Sequence, residues 1–334
     1  MRLAVLDDWQ GVAEQSADWS ALAARGVAVS FFTAPLGGVE AAAAALADFD
    51  ALIVMRERMA VPAALVARLP KLRLISLTGR RSPVLDVQAC THHGVLVCHT
   101  GGELSSAATA ELAVGLLIGA MRHLPGADAA TRGGRFQGTV PAGTALHGRT
   151  LGLIGLGRIG ARVARVGAAL GMRVLGWSPN LTAERAAGAG ATLADKATLL
   201  AESDAVSLHL VLSERTRGVL GADDLARMKP GAVLVNTSRF PLVEEAALIA
   251  ALRARRITAA LDVFPEEPLP PDHPLLGCPN TVLTPHLGYC TQEVYAEFYG
   301  DSIANVLAFL DGAPLRMINP EVRQHARQGA PGLP

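Results

Sequence analysis

The first chemical signal in the chain is a set of glycines at fixed spacing, Gly155-Leu156-Gly157-Arg158-Ile159-Gly160, directly after an apolar run at residues 151–154. Ile159, Val163, Val166 and Leu170 continue at helical spacing, so the third glycine opens an amphipathic helix. A strand-to-helix turn of this kind binds a pyrophosphate. Gly155 permits the tight turn, Gly157 lets backbone approach the phosphates with no Cβ between, and Gly160 lets helix and strand pack closely. The N–H groups at the helix start then face the anion. A dinucleotide fold usually places an acid at the end of the next strand, about 20 residues on, to hold the adenosine ribose. Here that stretch reads Trp177-Ser178-Pro179-Asn180. With no carboxylate to repel a 2′-phosphate, NADP is admitted beside NAD, yet the nearest following arginine is Arg185, so the preference stays open.

Composition narrows the class of molecule that carries this turn. At 334 residues the chain exceeds the length at which one core usually stops growing, which points to two domains. It is 50% hydrophobic and 18% charged, which excludes a disordered chain. Lys plus Arg and Asp plus Glu balance at 30 each, so no overall positive field is present to attract nucleic acid or an anionic membrane, and neither is expected as a partner. Cys90, Cys98, Cys278 and Cys290 are scattered without metal-ligand spacing, so neither a disulfide scaffold nor a metal is expected, and reduced thiols fit a cytoplasmic protein. The opening MRLAVLDDWQ lacks the layout of a secretion signal, so no export is expected. The apolar segment at 104–121 is interrupted by Glu111, serine and threonine and reads as a buried helix rather than a membrane span.

The elements that must position the glycine turn follow from the apolar runs. Continuous runs at 2–6, 27–32, 51–54, 72–77 and 95–97 suggest strands covered on both faces. Helical stretches at 40–46, 62–69 and 86–92 alternate with them, which gives one doubly wound parallel unit. A long helix at 103–121 and a polar, glycine-rich passage to Arg149 lead into a second series. Its strands are expected at 151–155, 173–177, 205–210, 232–236, 258–263 and 281–283. A last helix covers 292–310, and the tail from Glu321 reads as loose. The fold class is therefore α/β, with two doubly wound parallel-sheet domains.

Four ordered motifs give the chain a resemblance over almost its whole length. They are the GLGRIG turn, MKPGAVLVNTSR at 228–239, LDVFPEEP at 261–268 and TPHLG at 284–288, and together they resemble the D-isomer-specific 2-hydroxyacid dehydrogenases. The resemblance implies a Rossmann cofactor domain at 103–289, inserted in a flavodoxin-like substrate domain at 1–102 and 290–334, and a homodimer. It implies reversible hydride transfer between NAD(P)H and a small 2-oxo acid, giving a D-2-hydroxy acid, with glyoxylate and hydroxypyruvate as the first substrates to test. In its terms Arg239 holds the substrate carboxylate, a task suited to a planar guanidinium just past a strand end. In the same terms His286 is the acid/base, a role that suits the imidazole as a residue type able both to donate and to accept a proton. Glu267 orients that ring and favours its protonated form, with Glu266 the competitor by proximity. Cofactor contacts implied by the resemblance are Arg158 and Ile159 at the pyrophosphate, Ser178 at the adenosine ribose, and Leu210, Thr237 and Ser238 along the nicotinamide. Asp262 would face the carboxamide, and Gly288 would allow a close backbone approach.

Some positions depart from the family pattern. In the family a glycine-rich loop offers amides to the substrate carboxylate, and the matching stretch makes Gly79, Arg80 and Arg81 substrate-binding candidates. The two arginines replace small residues and would add positive charge around an acidic substrate, such as one with a second carboxylate or a phosphate, assisted by Arg56 or Arg58. The competing reading is that they are solvated or paired with nearby acids. Phe240 replaces a glycine after the catalytic arginine and would restrict the pocket or press on the cofactor, and Val211 replaces a proline. Formate enzymes of the broader family pair the histidine with glutamine, so Glu267 argues against formate oxidation. The alternative from another class is a dinucleotide-sensing interaction protein with the same fold and little turnover.

Overall fold

The computed structural model describes residues 1–324. The chain divides into two compact units, one made of Met1–Leu104 with the stretch from Thr291 onward, the other of Ser105–Cys290.

In the first unit β1 (Arg2–Val5), β2 (Ala28–Phe31), β3 (Ala51–Val54), β4 (Leu74–Leu77) and β5 (Leu96–His99) form a parallel sheet in the order β2-β1-β3-β4-β5. This is the flavodoxin-like order, with its reversal between β1 and β3. Every residue of β3 and β4 is buried, because helices cover both faces and no position of the alternating pleat meets water. The returning helix Gln292–Leu310 is pinned by buried polar contacts: Ser302 Oγ lies 3.0 Å from Ser76 Oγ, and Asn305 Nδ2 donates to Ser76 Oγ and His99 O. The loose tail expected from Glu321 needs correction at its start. Pro320–Gln324 is a 3-10 turn with Val322 buried, and the adjacent Asn319 bridges to Val97 N and Val95 O. The rest of that tail lies outside the described residues.

The second unit contains β6 (Thr150–Ile154), β7 (Arg173–Trp177), β8 (Thr192–Leu193), β9 (Ala205–Leu208), β10 (Val233–Asn236), β11 (Thr258–Leu261) and β12 (Thr281–Leu283). They form a parallel sheet in the order β12-β11-β10-β9-β6-β7-β8. Counted from β6, this is the Rossmann order with one further strand at the β12 edge. Two elements lack an apolar sequence signal. β8 is an edge strand with both residues exposed, and helix Leu124–Arg132 in the glycine-rich passage buries only Ala130. Helix Glu103–Met121 is long and apolar enough to cross a membrane by length and composition. Its Ala110, Ala113, Leu116, Leu117 and Ala120 nevertheless pack in one core with Leu151, Leu153, Val233 and Val235, so this helix covers the sheet.

Candidate active site

The glycines and the parallel register together build a tight strand-to-helix turn with one open side. Ile154 pairs with Trp177, and Gly155 N donates to Trp177 O at 2.8 Å, which sets the turn beside residues 178–180. Gly155 has φ +102, and a Cβ there would lie 2.6 Å from the carbonyl of His209. At Gly160 a Cβ would strike the Gly155 carbonyl oxygen. Gly157 differs, since a Cβ there would meet nothing within 4 Å. That open side, immediately before helix Arg158–Ala169, leaves room for a pyrophosphate. Arg158 is exposed, Ile159 packs on the core, and Ser178 is half-buried after β7. Along the neighbouring strand ends Leu210 rests on the core, while Thr237 is buried with its Oγ1 sealed and without a hydrogen-bond partner. A sealed hydroxyl of this kind fits a polar group of a bound dinucleotide. Ser238 instead donates its hydroxyl to Leu208 O at 2.7 Å, which ties its side chain to the β9 end.

His209, within the apolar run Leu208–Leu210, has an ordinary structural or surface role on the sequence alone. Its Nε2 lies 2.9 Å from Ser207 Oγ, its Nδ1 is sealed without a partner, and burial pushes its pKa down to about 4. The only sequence signal was a lone histidine at the end of a buried strand.

Three adjacent strands place Arg239, Glu267 and His286 past their carboxyl ends. After β10, Asn236 shapes the turn: its Oδ1 accepts from Ser238 N, and its Nδ2 donates to Arg239 O at 3.0 Å. Arg239 follows, half-buried, with Nη1 donating to Ser238 O. After β11 comes Glu267, and after β12 His286, whose Nδ1 lies 2.5 Å from Glu267 Oε2. The other oxygen of Glu267 accepts from Phe264 N at 3.0 Å. Burial works to raise the Glu267 carboxyl, but the His286 bond and charge, the Phe264 N–H and the Arg239 charge outweigh it and hold it below the usual glutamate value. Glu266 is exposed and has no such contact. Tyr289 meets the His286 ring edge to face, with centroids 5.8 Å apart.

His286 has φ +55, a left-handed conformation that costs a non-glycine residue on the order of 1 kcal/mol. Asp262 enforces it. Its Oδ1 accepts from Thr284 Oγ1 at 2.6 Å and Leu287 N at 2.7 Å, and its Oδ2 accepts from Gly288 N at 2.9 Å. The carboxylate assigned to the carboxamide thus clamps both sides of the histidine. Burial raises its pKa against those hydrogen bonds. At Gly288 a Cβ would come 3.2 Å from Asp262 Oδ2 and 3.3 Å from Thr109, so glycine lets this loop lie flat on the carboxylate.

Two expectations are revised by the side-chain positions. Phe240 is buried in one core with Leu220, Leu234 and Leu242, so it fills the interior and does not narrow a pocket. In the first unit the Gly79 amide, expected to face a substrate, donates to Thr100 Oγ1 at 2.7 Å. Gly79 has φ +84, and a Cβ there would run into the Arg56 guanidinium. Arg80 and Arg81 are exposed. Arg58 donates to Asp7 O at 2.6 Å and stacks 4.7 Å over the Trp9 ring. Val211, in place of the family's proline, is 83% exposed.

The chain belongs to the D-isomer specific 2-hydroxyacid dehydrogenase family, and residues 114–288 match that family's NAD binding domain. It is 39% identical over 267 residues to the glyoxylate reductase of Aeropyrum pernix, a match covering 77% of this chain and 79% of that one. It is 36% identical over 265 residues to the D-3-phosphoglycerate dehydrogenase of Archaeoglobus fulgidus, covering 79% of this chain and 50% of that one. The chain thus spans about half the length of the phosphoglycerate dehydrogenases it matches. Among solved structures, an oxidoreductase from Ralstonia solanacearum superposes with a TM-score of 0.90 at 39% identity over 98% of both chains. A phosphoglycerate oxidoreductase from Vibrio cholerae superposes with a TM-score of 0.87 at 38% identity, covering 94% of this chain and 100% of that one.

Proposed function

We propose that this chain is an NAD(P)-dependent dehydrogenase that interconverts a small 2-oxo acid and the D-2-hydroxy acid. The observation that carries the reading is the 2.5 Å pair of His286 Nδ1 and Glu267 Oε2 with the Arg239 charge acting on the same carboxylate. Bound NAD(P)H supplies the hydride. Arg239 holds the substrate carboxylate and polarises the adjacent carbonyl. With Nδ1 engaged, His286 uses Nε2 to donate a proton to the carbonyl oxygen in reduction and to remove it in oxidation. Glu267 fixes the ring and balances the positive charge that the imidazole carries before it donates.

In this reading the Rossmann unit is the cofactor domain, with Gly155, Gly157 and Gly160 at the pyrophosphate and Thr237 toward the nicotinamide. The flavodoxin-like unit, with the exposed Arg80 and Arg81, is the substrate domain. Glyoxylate and hydroxypyruvate are the first substrates, a choice supported by the glyoxylate reductases among the relatives. Turnover of the reduced nicotinamide across a panel of 2-oxo acids tests the reading, and it must fall by about 10²-fold or more on replacing Arg239 or His286. Tight dinucleotide binding without turnover on any of them would favour the sensor.

A cytoplasmic homodimer completes the proposal. Cys90 and Cys98 are free thiols pushed by burial up to about 12, so they are inert in a reducing compartment. Leu104, Leu124 and Phe136 are exposed at 45%, 50% and 83% around the long helix and the passage after it, where a second copy would cover them. Gel filtration at micromolar concentration showing a single-chain mass would overturn the dimer.

A further inference from the structure

The strand-end loop after β7 carries a positive charge for which the hydride-transfer step has no use. Because Gly155 N donates to Trp177 O, this loop stands beside the pyrophosphate turn. In a dinucleotide fold that corner meets the adenosine ribose, where an acid binds the 2′-hydroxyl and repels a 2′-phosphate. Across residues 177–191 the one carboxylate is Glu184, which is fully exposed and hydrogen-bonded by the Thr182 side chain.

Sequence distance hides what the fold does with Arg185. It lies well past the strand end, yet the turn at 178–181 closes through Leu181 N and Ser178 O, and Thr182 Oγ1 then accepts from Arg185 N at 3.3 Å. The side chain folds back, and Nη1 donates to Asn180 O at 3.2 Å. One N–H of the guanidinium fork is used to anchor it there, and the exposed remainder stands beside Asn180. Lys196, whose ammonium lies 6.0 Å from the Trp177 ring, is by contrast committed to Asp224 and Val219 O.

We propose that Ser178, Asn180 and Arg185 form a subsite for the 2′-phosphomonoester of NADPH, and that the chain prefers NADPH to NADH. The inference rests on the dehydrogenase reading only for the binding of a dinucleotide. A phosphomonoester brings close to two negative charges and several acceptor oxygens. Arg185 meets them with a charge-assisted pair, and the Ser178 hydroxyl and Asn180 amide add neutral donors.

Fluorescence titration of the full chain with NADPH and with NADH tests this without any substrate. NADPH is expected to bind at least about tenfold more tightly. Arg185→Ala should weaken NADPH by about tenfold and NADH by less than about twofold, the NADH value reporting that the unit is still folded. Ser178→Asp, which supplies the missing acid, should reverse the order of the two. NADH binding as tightly as NADPH, or Arg185→Ala weakening both alike, would overturn the subsite. A chain that binds NADH alone defeats this inference and leaves the dehydrogenase reading standing. One that binds neither dinucleotide defeats both.

Discussion

With Nδ1 held by Glu267, the His286 ring has one nitrogen left for chemistry, and its contribution is therefore separable from cofactor binding. His286→Asn should lower turnover by about 10²–10⁴-fold while the dinucleotide Kd moves less than about twofold. Stopped-flow reduction and fluorescence titration on the same preparation check this, and parallel losses in both would remove the acid–base role. The glycines make a second residue-scale contrast. Gly155→Ala places a Cβ 2.6 Å from the His209 carbonyl at φ +102, so it should destabilise the unit by several kcal/mol. Gly157→Ala meets nothing in the protein and has φ −78, which alanine adopts freely. It should leave stability within about 0.5 kcal/mol and weaken dinucleotide binding about tenfold or more. Urea denaturation beside a binding titration separates the two, and a Gly157→Ala protein that binds normally would show that the open side is not the phosphate path.

At the scale of elements, the carboxyl ends of β10, β11 and β12 deliver Arg239, Asp262 with Glu267, and His286 to one edge, and the Asp262 clamp holds the last of these in a left-handed turn. Asp262→Asn keeps the size but offers one oxygen and an N–H where Leu287 N, Gly288 N and Thr284 Oγ1 all donate. A buried donor left unsatisfied costs about 1–3 kcal/mol, so stability should fall by that order. Turnover should fall further than the substrate KM rises, because the ring is displaced rather than removed. Unchanged denaturation and unchanged kinetics would show that the clamp is dispensable. Much of this edge was legible in the sequence, since continuous apolar runs mark buried parallel strands and the ordered motifs fall just past their ends. The direction of each side chain was not. Asp262 turns onto the following loop because three donors converge there, and Phe240 turns inward because Leu220, Leu234 and Leu242 leave an apolar site beside its turn. Composition and spacing carry neither fact. Strand β8 and the folded-back Arg185 were hidden for a related reason, as both depend on tertiary neighbours and not on local periodicity.

Across the whole molecule acidic and basic residues cancel at 30 each, so buried individual groups govern the response to pH more than net charge does. In the first unit Asp7 is 2% exposed, and burial pushes its carboxyl up to about 6 against the pull of Arg58 and Trp9. Because the folded state holds that proton more tightly than the unfolded chain does, its contribution is fully present below the ordinary aspartate value and is lost as pH rises through about 6. Glu297, also raised by burial and by neighbouring acids, acts in the same direction. In the second unit His209 is driven down to about 4, so the folded state favours the neutral ring, and stability is lost as pH falls from the ordinary histidine value toward about 4. The lowered Glu267 and Asp204 add to that loss, while the raised Asp262 opposes it. The two units should therefore diverge on acidification. Hydrogen exchange followed from about pH 7 to about pH 5, corrected for intrinsic rates, should show protection in β6, β9 and β10 declining relative to β1, β3 and β4. Asp7→Asn isolates the first-unit contribution, because asparagine tolerates the left-handed φ of +57 at that position. It should raise stability at about pH 8 by on the order of 1–3 kcal/mol, with the advantage shrinking toward about pH 5 as the wild-type carboxyl takes up its proton. An advantage that stays constant over that range would mean that Asp7 acts through packing and not through its charge.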